Sequence, residues 1–147
     1  MTAWRDYQES TAYFFRVLGM DANVGERVAG ARGRHDVDVV VRTSRAGIEH
    51  IEQLWIVECK RWRRSVSKLH VAALVSIVQD VGADRGFLMS ETGFQPGAFK
   101  LASLSNITLT SLTELKEGCC PHERTIVNTG TGFLTCTACG MVQPIDW

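Results

Sequence analysis

Two carboxylates and a lysine lie on two neighbouring segments that are both predicted to be strands. Asp38 lies within a run of valines, while Glu58 closes the apolar run LWIV and Lys60 follows two residues later. Two carboxylates on adjacent strands supply the oxygen ligands that a divalent cation such as Mg²⁺ prefers. Because side chains alternate along a strand, Lys60 faces the same side as Glu58 and can stabilise charge on a phosphate. We therefore predict a hydrolytic site for phosphodiesters at these three residues.

The alternative is that Glu58 and Lys60 belong to an exposed strand face and Asp38 to a strand end. This alternative is weakened by the apolar neighbours of both carboxylates, because a carboxylate beside a buried strand is costly without a partner. Asp36 shares the strand parity of Asp38, so it is either a further ligand or a surface charge. Cys59 faces the opposite side of its strand, which is typical of a core thiol.

A basic segment follows directly after the lysine and contains one aromatic residue and no acid. Such a segment can bind DNA phosphates while its aromatic ring packs against a sugar or base. The alternative is a solvated loop before a helix, and the neighbouring phosphodiester site favours DNA. His70 is one turn into that helix and is either a structural histidine or a group close to the site. The candidate DNA-binding residues are Arg61, Trp62, Arg63, Arg64 and Lys68.

A second set of ligand residues crowds the last thirty residues. Cys120 and His122 are separated by 13 residues from Cys136 and Cys139. Thiolate and imidazole ligands in a tetrahedral array suit Zn²⁺, and a tail this short cannot build its own core without such a staple. Cys119 is an alternative to Cys120, and four reduced, unligated thiols are the alternative to zinc. A zinc unit here would serve as a structural staple, as a DNA contact or as a docking site for a partner protein.

The hydrophobic pattern predicts a mixed central sheet flanked by helices, an α/β arrangement with α+β character. Front strands joined by short connections are followed by strands that alternate with helices, which indicates right-handed crossovers in the second half. We expect a first domain over residues 1–116 and a cysteine-rich tail over 117–147, with a turn at 128–132. The predicted elements are helices over 2–18, 67–81 and 96–103, strands over 37–41, 51–59, 86–90 and 107–110, a turn-rich piece over 20–24 and a hairpin connection over 42–50.

Composition is consistent with a globular protein of one main domain. The 147 residues are 45% hydrophobic and 22% charged, so the chain should bury a core. Sixteen basic residues balance sixteen acidic ones, which disfavours a protein that binds nucleic acid through a strongly basic body. No apolar stretch approaches the roughly 20 residues of a membrane span, and the N-terminus lacks the layout of a signal peptide. We therefore expect a cytoplasmic protein without a membrane partner.

Three segments together resemble the catalytic domain of Mrr-type restriction endonucleases, which belong to the PD-(D/E)xK nuclease superfamily. They are RHDVDVVVR, WIVECKRWRRSVSKLHVAAL and GADRGFLMSETGFQPGAFKLA. The resemblance covers roughly residues 4–115, and the tail instead resembles a small zinc ribbon. It implies a restriction-endonuclease-like fold and cleavage of DNA that depends on Mg²⁺ or Mn²⁺, in defence against foreign DNA. The family's catalytic positions fall on Asp38, Glu58 and Lys60, although many Mrr-type enzymes carry glutamine where this chain has Glu58.

The first helix departs from the family pattern. Many relatives carry an acidic residue just after an aromatic residue, whereas here Tyr7 is followed by Gln8 and then Glu9. If Gln8 holds the equivalent position, the site has lost one carboxylate. The alternatives to a restriction nuclease are a weak or non-cleaving DNA-binding module and a junction or repair nuclease on the same scaffold. DNA is the expected partner, and double-strand cleavage would need a homodimer or a second engagement.

Overall fold

The computed structural model describes residues 3–44, 52–60, 63–118, 125–128, 133–136 and 142–144. For the last three segments it describes the course of the backbone. The chain divides into two compact units, Met1–Glu114 and Leu115–Trp147. The sequence predicts a division between residues 116 and 117, two residues further along the chain.

The first unit is a five-stranded sheet in the order β1-β2-β3-β4-β5, flanked by helices. The first three strands are antiparallel, whereas β3, β4 and β5 are parallel and are connected through helices. The predicted mixed sheet flanked by helices is confirmed. The elements in chain order are α1 (Ala3–Val17), β1 (Asp21–Ala29), β2 (Arg34–Ser44), β3 (Glu52–Cys59), α2 (Lys68–Val81), β4 (Arg85–Met89), α3 (Pro96–Ser103), β5 (Ile107–Thr110) and α4 (Leu112–Gly118).

Both faces of the sheet are covered, which explains the nearly continuous apolar runs of its central strands. On one face Phe15 of α1 contacts Trp55 and Phe87, with ring centroids 6.2 and 5.7 Å apart. On the other face Ile56 and its buried neighbours pack against Leu74 and the rest of α2 and α3. Because neighbouring residues of β3 serve opposite faces, this strand is fixed from both sides up to its last residue.

Two expectations about local structure are wrong, and one helix was not predicted. The turn-rich piece predicted over 20–24 is the start of β1, because Asp21 and its neighbours pair with the far end of β2, where Asp21 stands opposite Arg42. The strand β2 continues to Ser44, although residues from Arg42 onward were expected to form the connection, and residues 45–51 lie outside the described part. Helix α4 was not predicted. Its first amide groups are bound by Tyr7 and Glu91, which are distant in sequence.

The second unit contains a three-stranded antiparallel sheet in the order β6-β7-β8. Its strands are β6 (Thr125–Asn128), β7 (Phe133–Cys136) and β8 (Val142–Pro144). Asn128 pairs with Phe133, so β6 and β7 are neighbours on either side of the segment where the turn was predicted. Residues 129–132 of that turn lie outside the described residues. Among the described helices, none combines the length and the apolar character needed to cross a membrane.

Candidate active site

The register of β2 and β3 brings the two predicted carboxylates face to face. Val39 pairs with Val57 in an antiparallel ladder, so Asp38 stands opposite Glu58 at the end of β3. Directly opposed residues of an antiparallel pair project from the same face of the sheet. The amide of Cys59 donates a hydrogen bond to Asp38 Oδ2 at 2.9 Å, which fixes the orientation of that carboxylate.

Lys60 completes this group. Its Nζ lies 3.6 Å from Oε2 of Glu58, and its own amide donates to the carbonyl of Met89 at 2.7 Å. The backbone bond ties the lysine to the end of β4 and so continues the sheet one residue beyond β3. Glu58 and Lys60 line a cavity of about 140 Å³ whose other walls come mainly from α2. The lining residues of this cavity are Glu58, Lys60, His70, Ala73, Leu74, Ile77 and Leu88.

Burial makes the carboxylate pair costly to ionise fully. Burial, followed by the charge of Asp38, raises the pKa of Glu58 to about 7, while Lys60 opposes the shift. Burial also raises the pKa of Asp38, against the lowering effect of the Cys59 amide and of Lys60. The two carboxyl groups are hydrogen-bonded to each other. Without a cation the pair therefore retains a proton near neutral pH, because two like charges in a poorly hydrated place repel each other.

Helix α1 supplies the other wall of the site. The Trp4 indole N–H donates to the carbonyl of Cys59 at 3.3 Å, and Gln8 is buried and hydrogen-bonds Asp38. One turn further on, the thiol of Cys59 lies 4.0 Å from the Thr11 hydroxyl oxygen. Trp4 and Thr11 were not predicted as site residues. Their only signal was the spacing with Gln8 at i, i+4 and i+7, which places polar groups on one helical face.

The donor groups at this site fit a hard divalent cation. The carboxylates of Asp38 and Glu58 and the carbonyl of Cys59 are oxygen ligands of the kind that Mg²⁺ and Mn²⁺ take. Within the part of the chain that the structure describes, no cluster of three or more His, Cys, Asp or Glu side chains is suited to hold a metal. Gln8, which hydrogen-bonds Asp38, carries an amide, so the site offers two carboxylates and a neutral side chain. A cation would replace the proton that the carboxylate pair otherwise retains.

Two of the predicted auxiliary carboxylates are not brought to this site. Asp36 is exposed and accepts a hydrogen bond at 3.0 Å from Arg27, which is its partner across β1 and β2. Glu9 lies on the outer side of α1, 4.0 Å from Arg5 one helical turn earlier. Each of these carboxylates is paired with an arginine away from the site. Of Gln8 and Glu9, the two candidates in α1, it is Gln8 that contacts Asp38.

The basic segment is anchored to the loop that follows β4. Thr92 Oγ1 donates to the carbonyl of Arg64 at 3.0 Å, and Val66 both donates to Gly93 and accepts from Gln95. Gly93 has φ +92°, a backbone conformation that favours glycine at this close approach. Arg63, Arg64 and Lys68 are exposed, whereas Arg61 and Trp62 lie outside the described residues. The described basic side chains therefore follow the site residues on an anchored backbone, and Thr92 is an anchor that the sequence did not reveal.

The predicted zinc ligands lie almost entirely outside the described part of the chain. This holds for Cys120, His122 and Cys139, and for the alternative ligand Cys119. Cys136 is the last residue of β7, where the backbone alone is described. The zinc site thus stays a prediction.

A family model described as restriction endonuclease (Mrr_cat) matches residues 1–119. No curated protein matches the sequence. The fold is similar to a crystallised protein of unknown function, with a TM-score of 0.60 and 21% identity over 73% of this chain and 58% of that one. It is also similar to the MspJI restriction endonuclease in complex with a 27-mer oligonucleotide, with a TM-score of 0.55 and 17% identity over 76% and 26% of the two chains. The DNA modification-dependent restriction endonuclease AspBHI gives a TM-score of 0.53 and 16% identity over 75% and 29%.

These structural likenesses, all below 25% identity, show a shared fold. This chain spans less than two thirds of the length of each of the three neighbours.

Proposed function

This chain belongs to the Mrr_cat family of restriction endonucleases, and from that premise we propose that it hydrolyses phosphodiester bonds of DNA in a metal-dependent reaction. Its family identifies it as a nuclease in general. The observation that carries the finer proposal is the opposition of Asp38 and Glu58 across β2 and β3, with Lys60 3.6 Å from Glu58. Restriction of foreign DNA is the role we propose for this activity. Cleavage of plasmid DNA in the presence and absence of Mg²⁺ or Mn²⁺ tests the proposal.

In the proposed mechanism, Asp38, Glu58 and the carbonyl of Cys59 would hold Mg²⁺ or Mn²⁺, which when bound would supply water activation and offset the charge of the phosphate. Lys60 donates to a phosphate oxygen, and its contact with Glu58 aims the ammonium at the charge that develops in the transition state. The Trp4 indole orients the Cys59 carbonyl, and the Cys59 amide orients Asp38. The site is thus held in position before any substrate arrives.

The basic segment is proposed to bind the DNA backbone beside this centre. Its exposed arginines and lysine contribute affinity and position more than sequence choice, since phosphates carry no sequence information. One solved neighbour of the same fold is a complex with an oligonucleotide, which supports DNA as the partner. A single site cuts one strand, so we propose that double-strand cleavage needs a second copy of the chain.

Replacing Arg63 and Arg64 together with Ala should weaken DNA binding about equally for all sequences. Each lost phosphate contact should lower the slope of log affinity against log salt concentration by roughly 1. The measurement is a salt titration of binding to a short duplex. The matched control is Arg85→Ala, which removes an exposed arginine at the opposite end of β4 and should leave the slope unchanged. An unchanged slope in the double variant would show that these arginines do not bind DNA.

The second unit is proposed to bind one Zn²⁺ through Cys120, His122, Cys136 and Cys139. Its three strands contain four, four and three residues. So short a sheet buries little apolar surface, and small units of this kind are commonly held together by a metal. The proposed role is structural, with a partner protein as the alternative use of this unit.

Zinc analysis of the purified full-length chain should give one Zn²⁺ per molecule. Cys136→Ser or Cys139→Ser should lose it, because three remaining ligands bind zinc much more weakly than four. Cys119→Ser and Cys120→Ser form a matched pair, of which the second alone should lose the metal. Zinc loss in Cys119→Ser alone would transfer the ligand role to that residue. A zinc-free wild-type protein would refute the proposed site.

A further inference from the structure

His70 is held in one orientation and one tautomer by the start of α2. Ser67 precedes the helix, and its amide donates a hydrogen bond to His70 Nδ1 at 3.3 Å. The Ser67 hydroxyl oxygen lies 3.1 Å from the same nitrogen. An amide can only donate, so Nδ1 must keep its lone pair. The ring proton is therefore assigned to Nε2, which makes that atom a hydrogen-bond donor.

The same ring lines the cavity that two of the three predicted catalytic residues also line. Glu58 and Lys60 form part of its wall, and the remaining lining residues, Ala73, Leu74, Ile77 and Leu88, are apolar. The polar side chains of this cavity are thus a carboxylate, an ammonium and an imidazole. In such surroundings a fixed hydrogen-bond donor acts more strongly than it would in water.

Capping the helix does not by itself account for a histidine at this position. The usual partner in such a capping box is Glu or Gln, whose side chain accepts the same amide hydrogen bond. Histidine differs from these residues in one respect that matters here. When Nδ1 is occupied as an acceptor, the rigid ring still presents a second nitrogen with a proton at a fixed distance from the first.

We propose that His70 is a further catalytic residue, whose Nε2–H donates a hydrogen bond to a non-bridging oxygen of the phosphate that is cleaved. The proposal rests on the proposed nuclease function and names a substrate contact within it. His70 forms no covalent bond and transfers no proton in this role. It acts beside Lys60, adding a second donor where negative charge accumulates on the phosphate. Removing one preorganised donor of this kind lowers a rate roughly 100-fold.

The test compares His70→Asn with His70→Gln in the full-length chain. Asn places its carbonyl oxygen close to the position of Nδ1, so it keeps an acceptor for Ser67 and loses the second donor. Gln keeps an acceptor typical of a capping box and reaches further, with an N–H donor at its end. The single-turnover rate of plasmid cleavage, DNA affinity in Ca²⁺ and the melting temperature are measured for both variants and for wild type.

We expect His70→Asn to cut roughly 100-fold more slowly at unchanged DNA affinity and melting temperature. His70→Gln should recover part of that loss. Cleavage by His70→Asn at the wild-type rate would overturn the inference and leave the nuclease function standing. Equal rate losses in both variants that follow a lower melting temperature would also overturn it, since they would assign His70 to the helix cap alone. Absence of cleavage by wild type would overturn the proposed function and this contact together.

Discussion

Asp38→Asn and Lys60→Ala should each lower the rate of DNA cleavage at least about 100-fold, in a chain that still folds and still binds DNA. Asn keeps an oxygen that accepts the Cys59 amide, so the hydrogen bond that orients position 38 survives. The substitution removes one of the two anionic oxygen ligands, and the metal binds less well. Ala at position 60 removes the ammonium that lies 3.6 Å from Glu58 and would face the phosphate. Plasmid cleavage measures the rate, circular dichroism measures folding, and a duplex-binding assay measures DNA affinity.

Asp36→Asn provides a matched control for Asp38→Asn. Both residues belong to β2, but Asp36 is exposed and paired with Arg27. The control should therefore cut at the wild-type rate. If Asp38→Asn or Lys60→Ala cuts as fast as wild type, the assignment of the catalytic centre is wrong.

Glu58→Gln should slow cleavage, since one of the two anionic ligands becomes neutral, and should at the same time stabilise the protein in the absence of a divalent cation. The pKa of Glu58 is raised to about 7, first by burial and then by Asp38. A carboxyl group with a raised pKa in the folded state contributes full stability below its ordinary pKa near 4.5. That contribution is lost as the pH rises towards 7, where the folded protein must ionise the buried group. Gln carries no charge, so its variant avoids this loss and should be about 1–3 kcal/mol more stable at pH 8.

Urea unfolding at pH 5 and pH 8, in buffer without Mg²⁺, measures this effect. The wild-type free energy of unfolding should fall between the two pH values more steeply than that of Glu58→Gln. Adding Mg²⁺ at pH 8 should stabilise the wild type and have little effect on the variant. Glu9→Gln is the matched control, because Glu9 is partly exposed and lies away from the site. A Glu58→Gln variant that is less stable than wild type at pH 8 would contradict the electrostatic picture of the site.

The parts of the fold that could be predicted are the elements whose own sequence is sufficient to determine their type and bounds. The bounds of α3 and β5 match the predicted ranges, since Pro96 opens the helix and β5 alternates aliphatic residues with threonines. The start of β1 could not be predicted, because its sequence, DANVGE, is typical of a turn. It becomes a strand by pairing with the valine-rich β2. Helix α4 was missed although Ser111 and Glu114 have capping-box spacing, and the Glu114 amide donates to Ser111 Oγ at 3.0 Å. Its first two amides are bound by Tyr7 and Glu91, which no local pattern shows.

The candidate site divides in a similar way. Strand parity and adjacency were sufficient to place Asp38, Glu58 and Lys60 together, because both follow from the period of two along a strand. The contacts that residues of α1 make with the site could not be predicted in this way. The register of a helix over a sheet depends on packing, which here sets Trp4 against the Cys59 carbonyl and turns Gln8, rather than Glu9, towards Asp38. A structural role for His70 and a place near the site were alternatives in the sequence, whereas in the structure His70 both accepts a hydrogen bond from the Ser67 amide and lines the cavity beside Glu58 and Lys60.

The most direct test of the central claim is cleavage of supercoiled plasmid by the full-length chain, with Mg²⁺, with Mn²⁺ and with neither. Unmodified and base-modified plasmids are both used, since one neighbour of this fold is a modification-dependent enzyme. We predict nicked or linear product from at least one plasmid, only when a divalent metal is present, and none from Asp38→Asn. Intact plasmid under every condition, together with no Mg²⁺ binding by calorimetry, would contradict the claim. That result would favour the alternative of a DNA-binding module that does not cleave.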